Sequence, residues 1–131
     1  MQYKKEGSLA LLPDPQTKII AAIPAYNEAR HIEEIVSSTL QYVNQVIVVD
    51  DGSTDGTGER AREAGAFVVK HQQNRGYGGA LKSCLEKGRE QGADVLVLLD
   101  ADGQHLPDEA PKVVRPVLEG RADIVIGSRF L

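Results

Sequence analysis

The sequence predicts an α/β domain in which a largely parallel sheet is covered by helices on both faces. Short apolar segments alternate with segments of helical periodicity along most of the 131 residues, as in successive βαβ units. The apolar segments are rich in β-branched residues and lack polar alternation, which is typical of strands buried on both faces. A cluster of polar residues also follows each apolar segment, where strands of such a sheet deliver ligand-binding loops.

Five short strands are expected. They lie in the segments KIIAAIP, QVIVVD, AFVVKH, DVLVLLD and ADIVIGS. The first strand is expected to stop at Pro24, because proline has no backbone N–H to donate. The fifth lies close to residue 131, so the sheet is expected to be truncated after it.

The segments between the strands have helical character. In NEARHIEEIVSSTLQYV, Ile32 and Val36 share an apolar face and Asn27 is the expected N-cap. A weaker helix in STDGTGERAREAG is expected to end at Gly65. A third helix is expected in GGALKSCLEKGREQG, and a fourth in PDEAPKVVRPVLEG, where Pro116 predicts a kink or a break.

Composition limits the class of protein. With 131 residues, of which 41% are hydrophobic, the chain can build one core. Residues 1–17 show no sustained period and are expected to be a weakly ordered leader, whereas residues 18–131 form the domain. The net charge of -4 argues against a nucleic-acid partner. A single cysteine, Cys84, favours a reducing, cytoplasmic setting, and no apolar run approaches the roughly 20 residues of a membrane-spanning helix.

The polar clusters after the strands predict one ligand site. They occupy residues 24–28, 50–53, 71–79, 100–102 and 127–129. Because the carboxyl ends of parallel strands meet at one edge of a sheet, these clusters should converge there.

Two pairs of acids suggest what such a site would bind. Asp100 and Asp102 follow the fourth strand in VLVLLDADGQHLPDE, and carboxylate oxygens suit Mg²⁺ or Mn²⁺. Such a metal neutralises charge on a departing nucleoside diphosphate. Asp50 and Asp51 follow the second strand in VDDGSTDGT, and a carboxylate can accept the ring N–H of uracil or guanine.

The same motifs are compatible with other classes of protein to different degrees. An EF-hand is excluded because the glycine directly follows Asp102, and a P-loop is excluded because no GxxxxGK[ST] occurs. The glycines of GYGGAL, among them Gly78, either contact a ligand or serve helix packing. A phosphatase of the haloacid-dehalogenase type would use Asp100 as nucleophile and Asp102 as acid. Against it, Gln104 stands where a small Thr or Val belongs, and the motif follows the fourth strand instead of the first.

Five segments together carry a family resemblance. AAIPAYNEARHIEEIV, VIVVDDGSTDGT, NRGYGGALKSCLEKG, VLVLLDADGQHLPDE and ADIVIGSRF resemble the family 2 glycosyltransferases of GT-A fold, most closely the dolichol-phosphate mannose and glucose synthase branch. The resemblance runs from Lys18 to Leu131, with the segments in the family's order.

The resemblance implies roles for named residues. The candidate nucleotide-binding residues are Pro24, Tyr26, Glu28, Asp50, Asp51, Gly78 and Asp100. The candidate metal ligands are Asp100, Asp102 and Gln104. Asp102 and Arg129 are the candidate catalytic residues, and the Arg129 guanidinium suits a diphosphate or an acceptor phosphate.

The implied reaction is an inverting transfer of a sugar from a UDP- or GDP-sugar to an acceptor, with polyprenyl or dolichyl phosphate expected. A lipid phosphate is already ionised at neutral pH, so no general base is strictly required. The full-length protein is then expected at the cytoplasmic face of a membrane, and an exposed edge strand could pair with a second copy.

Members of this family continue well beyond the point that matches residue 131. The chain is therefore expected to be the donor-binding part of a longer enzyme, with little transferase activity alone. A non-catalytic module that binds a nucleotide-sugar is the alternative.

Overall fold

The computed structural model describes residues 17–101 and the backbone of residues 124–126. The strands are β1 (Ile19–Ala25), β2 (Gln45–Asp50), β3 (Phe67–Lys70), β4 (Val95–Leu98) and β5 (Ile124–Ile126). The helices are α1 (Ile32–Thr39), α2 (Thr57–Glu63) and α3 (Gly76–Glu90). The strands form one sheet in the order β3-β2-β1-β4-β5, and every neighbouring pair is parallel. The predicted parallel α/β sheet is confirmed, while the predicted leader and fourth helix lie outside the described residues.

Strand β1 is central and divides the core into two layers. Ile19, Ala21 and Ile23 belong to the cluster that contains the buried residues of α1 and α2. Ile20 and Ala22 point the other way, toward the buried residues of α3. Successive side chains of a strand alternate between its faces, so an apolar run places helices on both sides, as predicted.

Cys84 confirms the apolar face of α3. Its side chain is fully buried against the sheet, and burial raises the pKa of the thiol to about 12. The thiol is therefore a core group and stays protonated at neutral pH.

The expected end of the first strand was wrong, because β1 continues through Pro24 to Ala25. Ala22 O accepts from Leu99 N on the β4 side at 3.1 Å, and Ala25 O accepts from Asp51 N on the β2 side at 2.8 Å. The nitrogen of Pro24 therefore faces β4, beyond the last pair of that ladder, Ala22 with Leu98. A missing N–H costs no ladder hydrogen bond there.

The expected N-cap was also wrong. Helix α1 begins at Ile32 and has no side-chain cap, whereas Asn27 lies in the preceding turn with φ 52°. The Asn27 Oδ1 accepts a hydrogen bond from Thr54 N at 2.9 Å. Asparagine is one of the few residues that tolerate this left-handed conformation, because its side chain bonds to nearby backbone.

The predicted end of the second helix is confirmed at Gly65, which has φ 110°. Gly65 N donates to Arg62 O, and Ala66 N donates to Ala61 O, both at 3.0 Å. This pair of bonds is the Schellman motif, in which a glycine in the left-handed conformation ends the helix.

Within residues 17–101, no helix combines the length and the apolar character needed to cross a membrane.

Candidate functional site

The carboxyl ends of β1, β2 and β3 lie side by side, as the parallel sheet requires. Asp51 N donates to Ala25 O at 2.8 Å, and His71 N donates to Asp50 O at 2.9 Å. The polar residues that follow these three strands therefore meet at one edge, as predicted.

The loops after β1 and β2 are joined by side chains of the DGSTDGT segment. Ser53 Oγ accepts from Asn27 N at 2.8 Å, and Thr57 Oγ1 accepts from Glu28 N at 2.9 Å. Asp55 Oδ2 accepts from Ala29 N at 3.1 Å. Much of this polar segment thus satisfies the backbone of the neighbouring loop and fixes the rim of the site, a use of short hydroxyl and carboxylate side chains that recurs in turns.

Asp51 is the acid at the centre of the edge, and the residue is only 3% exposed. Its Oδ1 lies 2.7 Å from His71 Nδ1 and accepts from Arg75 N at 2.8 Å. Its Oδ2 accepts from Gly76 N at 3.0 Å. The carboxylate therefore holds the start of α3 against the end of β2.

These contacts decide the charge of Asp51. Burial alone would raise its pKa, but the hydrogen bond to His71, the Arg75 N–H, the charge of His71 and the Gly76 N–H together lower the pKa below the usual 3.8. Asp51 is therefore a carboxylate at neutral pH, able only to accept hydrogen bonds.

Asp50, the neighbouring acid, faces a different direction. It is 1% exposed, and its Oδ1 accepts from Ser53 N at 3.0 Å. Its Oδ2 lies close to Gly58, and a Cβ added to Gly58 would be 2.6 Å from this oxygen. The two adjacent acids therefore have separate surroundings: Asp50 lies under α2, and Asp51 lies beside α3.

A cavity of about 200 Å³ opens at this edge. Its wall includes Pro24, Tyr26, Asp51, Asn74, Gly76 and Tyr77. Tyr26 and Tyr77 are 49% and 59% exposed. Pockets that enclose whole small molecules measure roughly 300–1,000 Å³, so this cavity suits one part of a ligand, such as a planar ring.

The cavity contains some of the predicted nucleotide-binding residues and not others. Pro24, Tyr26 and Asp51 are in its wall, whereas Glu28 lies in the loop after β1 and Asp50 is the last residue of β2, both outside that wall. Gly78 lies one turn into α3, where a Cβ would meet nothing within 4 Å of it. Whether any of these residues contacts a nucleotide stays a prediction.

Asn74 and Tyr77 belong to the predicted polar cluster 71–79, but sequence reasoning gave neither of them an individual role, and both line the cavity. It also missed the contact between the buried His71 and the half-buried Ser83. An aromatic residue in the first turn of a helix that follows a strand was the available signal for Tyr77. The pair His71 and Ser83 gave no signal, since their contact joins two elements.

Of the predicted metal ligands, Asp100 alone is in the part of the chain that the structure describes; Asp102, Gln104 and the catalytic candidate Arg129 lie outside it. Asp100 is half-buried and follows β4 at the carboxyl edge of the sheet. A carboxylate is the kind of oxygen ligand that a hard cation at this edge would need. Within residues 17–101, no three His, Cys, Asp or Glu side chains are grouped so as to hold a metal on their own.

Comparison with known proteins gives a consistent result. The model of the family described as glycosyl transferase family 2 matches residues 20–131. The UDP-N-acetylglucosamine–dolichyl-phosphate N-acetylglucosaminyltransferase of Methanococcus voltae is 37% identical over 130 residues, covering 86% of this chain and 52% of that protein. The dolichol-phosphate mannosyltransferase of Pyrococcus furiosus is 37% identical over 123 residues, covering 87% of this chain and 34% of that protein.

Solved structures agree with the GT-A fold. Glucosyl-3-phosphoglycerate synthase from Mycobacterium tuberculosis, in complex with Mn²⁺, UDP and glucosyl-3-phosphoglycerate, superposes with a TM-score of 0.66 and 32% identity. The match covers 86% of this chain and 42% of that one. The same synthase has also been solved with Mg²⁺ and UDP.

The chain spans about a third to a half of the length of these relatives. Over that span the family match, the identities and the parallel α/β fold agree. They favour glycosyl transfer over the phosphatase interpretation of the Asp100–Asp102 pair. The chain belongs to glycosyl transferase family 2.

Proposed function

We propose that the cavity binds the base of a UDP- or GDP-sugar, and that the whole enzyme transfers the sugar with inversion to a polyprenyl or dolichyl phosphate. The observation that carries this proposal is the ionised Asp51 in the wall of a ring-sized cavity at the carboxyl edge of the sheet. A relative solved with UDP shares the fold.

The cavity has the chemistry for a base with a ring N–H. A carboxylate accepts such a donor strongly, because the acceptor is charged and shielded from water. The half-exposed Tyr26 and Tyr77 offer aromatic faces at the same cavity, and aromatic side chains stack on bases of any kind. Asp51 thus selects the base while the tyrosines supply contact area.

The diphosphate is proposed to extend from the base toward β4. Asp100, Asp102 and Gln104 would hold Mg²⁺ or Mn²⁺ through oxygen atoms, the ligands that these cations prefer. The metal would neutralise charge on the departing nucleoside diphosphate. Arg129 would bind a phosphate oxygen with its planar guanidinium, and Asp102 would orient the donor at the reacting centre.

The acceptor class is inferred from the names of two relatives, which specify dolichyl phosphate and dolichol phosphate. A phosphate monoester oxygen is ionised at neutral pH and can attack the anomeric carbon directly, without a base to remove a proton. Such an acceptor would bring the complete enzyme to a membrane surface. The chain by itself is proposed to bind the donor and to transfer sugar poorly.

Calorimetric titration of the chain with UDP and with GDP, each with and without Mn²⁺, tests the proposal. One nucleotide should bind, and Mn²⁺ should strengthen its binding. Asp100→Asn should weaken the metal effect by about tenfold or more, because it replaces a charged ligand. Glu86→Gln, which removes a charge from the exposed face of α3, should change nothing. If neither nucleotide binds, the proposal is contradicted. If a nucleotide binds with the same affinity with and without Mn²⁺, the proposed metal site is contradicted.

A further inference from the structure

A largely buried chain of hydrogen bonds runs from the cavity wall, through the end of β3, to α3. Asp51 Oδ1 lies 2.7 Å from His71 Nδ1, and His71 Nε2 lies 2.8 Å from Ser83 Oγ. His71 is 3% exposed. Of the three hydrogen-bonded residues, Asp51 is the one that belongs to the described cavity wall. His71 and Ser83 can therefore influence a ligand only through Asp51.

The direction of the hydrogen bond between Asp51 and His71 follows from the charge of Asp51. A carboxylate has no proton to donate, so His71 Nδ1 carries the hydrogen that joins them. The other ring nitrogen, Nε2, is hydrogen-bonded to the Ser83 hydroxyl. Both ring nitrogens are occupied, and the imidazole is held between the end of β3 and the second turn of α3.

Counting acceptor positions shows what Asp51 still offers. A carboxylate has about four lone-pair positions. Two on Oδ1 are used by His71 and by Arg75 N, and one on Oδ2 is used by Gly76 N. The Gly76 N–H is itself shared with Asn74 Oδ1, at 2.9 Å. Oδ2 is thus the less occupied oxygen, and one acceptor position on it remains.

We propose that His71, anchored by Ser83, is a positioning residue that saturates Oδ1 of Asp51 and presents Oδ2 to the ring N–H of the bound base. The inference rests on the proposed function of the cavity. It assigns base selection to the pair His71 and Ser83: bases with a ring N–H, such as uracil and guanine, are accepted, and bases with a bare ring nitrogen at that position are disfavoured.

A nucleophilic role for Ser83 does not fit this geometry. Serine, histidine and aspartate in this order form the arrangement that activates a serine hydroxyl. Here the half-buried Ser83 is not among the described residues of the cavity wall, whereas Asp51, at the carboxylate end, is one of them. A ligand in the cavity therefore meets the carboxylate of Asp51 and not the hydroxyl of Ser83.

The test compares each nucleotide with its N-methylated analogue. Dissociation constants are measured for UDP against N3-methyl-UDP, and for GDP against N1-methyl-GDP, with the wild-type chain. The same pairs are titrated into His71→Leu, Ser83→Ala and His71→Asn. Ser38→Ala, another half-buried serine on a helix, is the matched control.

For the nucleotide that binds, methylation should weaken wild-type affinity by about tenfold or more, because it removes a hydrogen bond to a charged acceptor. In His71→Leu the ratio of the two dissociation constants, methylated to unmethylated, should fall toward one, since Asp51 loses its side-chain partner and keeps only backbone N–H donors. Ser83→Ala should give an intermediate ratio. His71→Asn keeps an N–H donor near the Nδ1 position and should restore part of the ratio, while Ser38→Ala should match the wild type.

General loss of structure lowers the affinity for both members of a pair and leaves their ratio unchanged. A ratio equal to that of the wild type in both His71→Leu and Ser83→Ala would overturn this inference and leave the proposed function intact. If His71→Leu does not fold, Ser83→Ala decides alone. If the wild type binds neither UDP nor GDP, the proposed function fails and this inference fails with it.

Discussion

At the scale of single residues, the two adjacent acids at the end of β2 show how packing gives different roles to residues that the sequence does not distinguish. Asp50 and Asp51 are chemically identical, and both lie at the end of a buried strand. The first points under α2, beside Gly58, and the second reaches the start of α3. Which acid meets the cavity depends on two helices that pack on opposite faces of the sheet, so the motif alone could not separate them.

The lowered pKa of Asp51 makes the stability of the domain dependent on pH. The unfolded carboxyl group has a pKa of 3.8 and the folded one a lower value, so in this range the unfolded chain binds more protons. The stabilisation by Asp51 is therefore fully present above the unfolded pKa and is lost as the pH falls through the folded pKa.

Asp51→Asn should remove part of this acid dependence. At neutral pH the variant should lose about 1–3 kcal/mol, because its amide cannot satisfy all the donors that the carboxylate satisfies. The difference from the wild type should shrink as both are acidified below pH 3.8. Urea unfolding at several pH values measures it. A difference that stays constant down to the lowest pH would contradict the role given to Asp51.

At the scale of elements, the site is built by loops held in mutual contact. The loops after β1 and β2 are joined through Ser53, Asp55 and Thr57. The β2–α2 loop also approaches the loop before α3 at Gly52, where φ is 78° and a Cβ would lie 2.7 Å from Asn74 N. Glycine is required there by both the conformation and the close approach.

Two helical glycines offer a matched test of this packing. Gly58→Ala in α2 should destabilise the domain by about 1–3 kcal/mol, since the new methyl group would lie against Asp50 Oδ2, in a fully packed region. Gly78→Ala in α3 meets open space and should stabilise by up to about 0.5–1 kcal/mol, because alanine loses less backbone entropy in a helix. Urea denaturation of the two variants and the wild type gives both values.

Similar stabilities for Gly58→Ala and Gly78→Ala would show that α2 is not packed on Asp50 as described. Titration of Gly78→Ala with nucleotide tests separately whether Gly78 contributes to nucleotide binding, as the family resemblance implies.

At the scale of the whole molecule, the sequence was sufficient for the architecture. Strands and helices are encoded by local sequence patterns, namely apolar β-branched runs and helical periodicity. The parallel strands and the helices on both faces of the sheet were therefore predicted. The predictions were wrong where a neighbouring strand or loop determines the local structure. Pro24 stays in β1 because the β4 ladder has already ended beside it, and Asn27 serves a turn because the next loop supplies Thr54 N.

The site was only partly predictable for the same reason. Residues that follow strands in recognisable motifs, such as Tyr26 and Asp51, were identified. The contact of Asp51 with His71 spans 20 residues, and that of His71 with Ser83 links a strand end to a helix. Such pairs follow from the way α3 lies on the sheet, which periodicity alone does not specify.

The central claim is that the cavity beside Asp51 is the base site of a nucleotide-sugar donor. Amide chemical-shift mapping by NMR tests it most directly, with a ¹⁵N-labelled chain titrated with UDP or GDP in Mg²⁺. The largest shifts should fall on Asp51, Gly76 and Tyr77, which line the cavity. Shifts centred on Phe67 and Leu85, the exposed apolar residues of β3 and α3, or no shift at the cavity with either nucleotide, would contradict it.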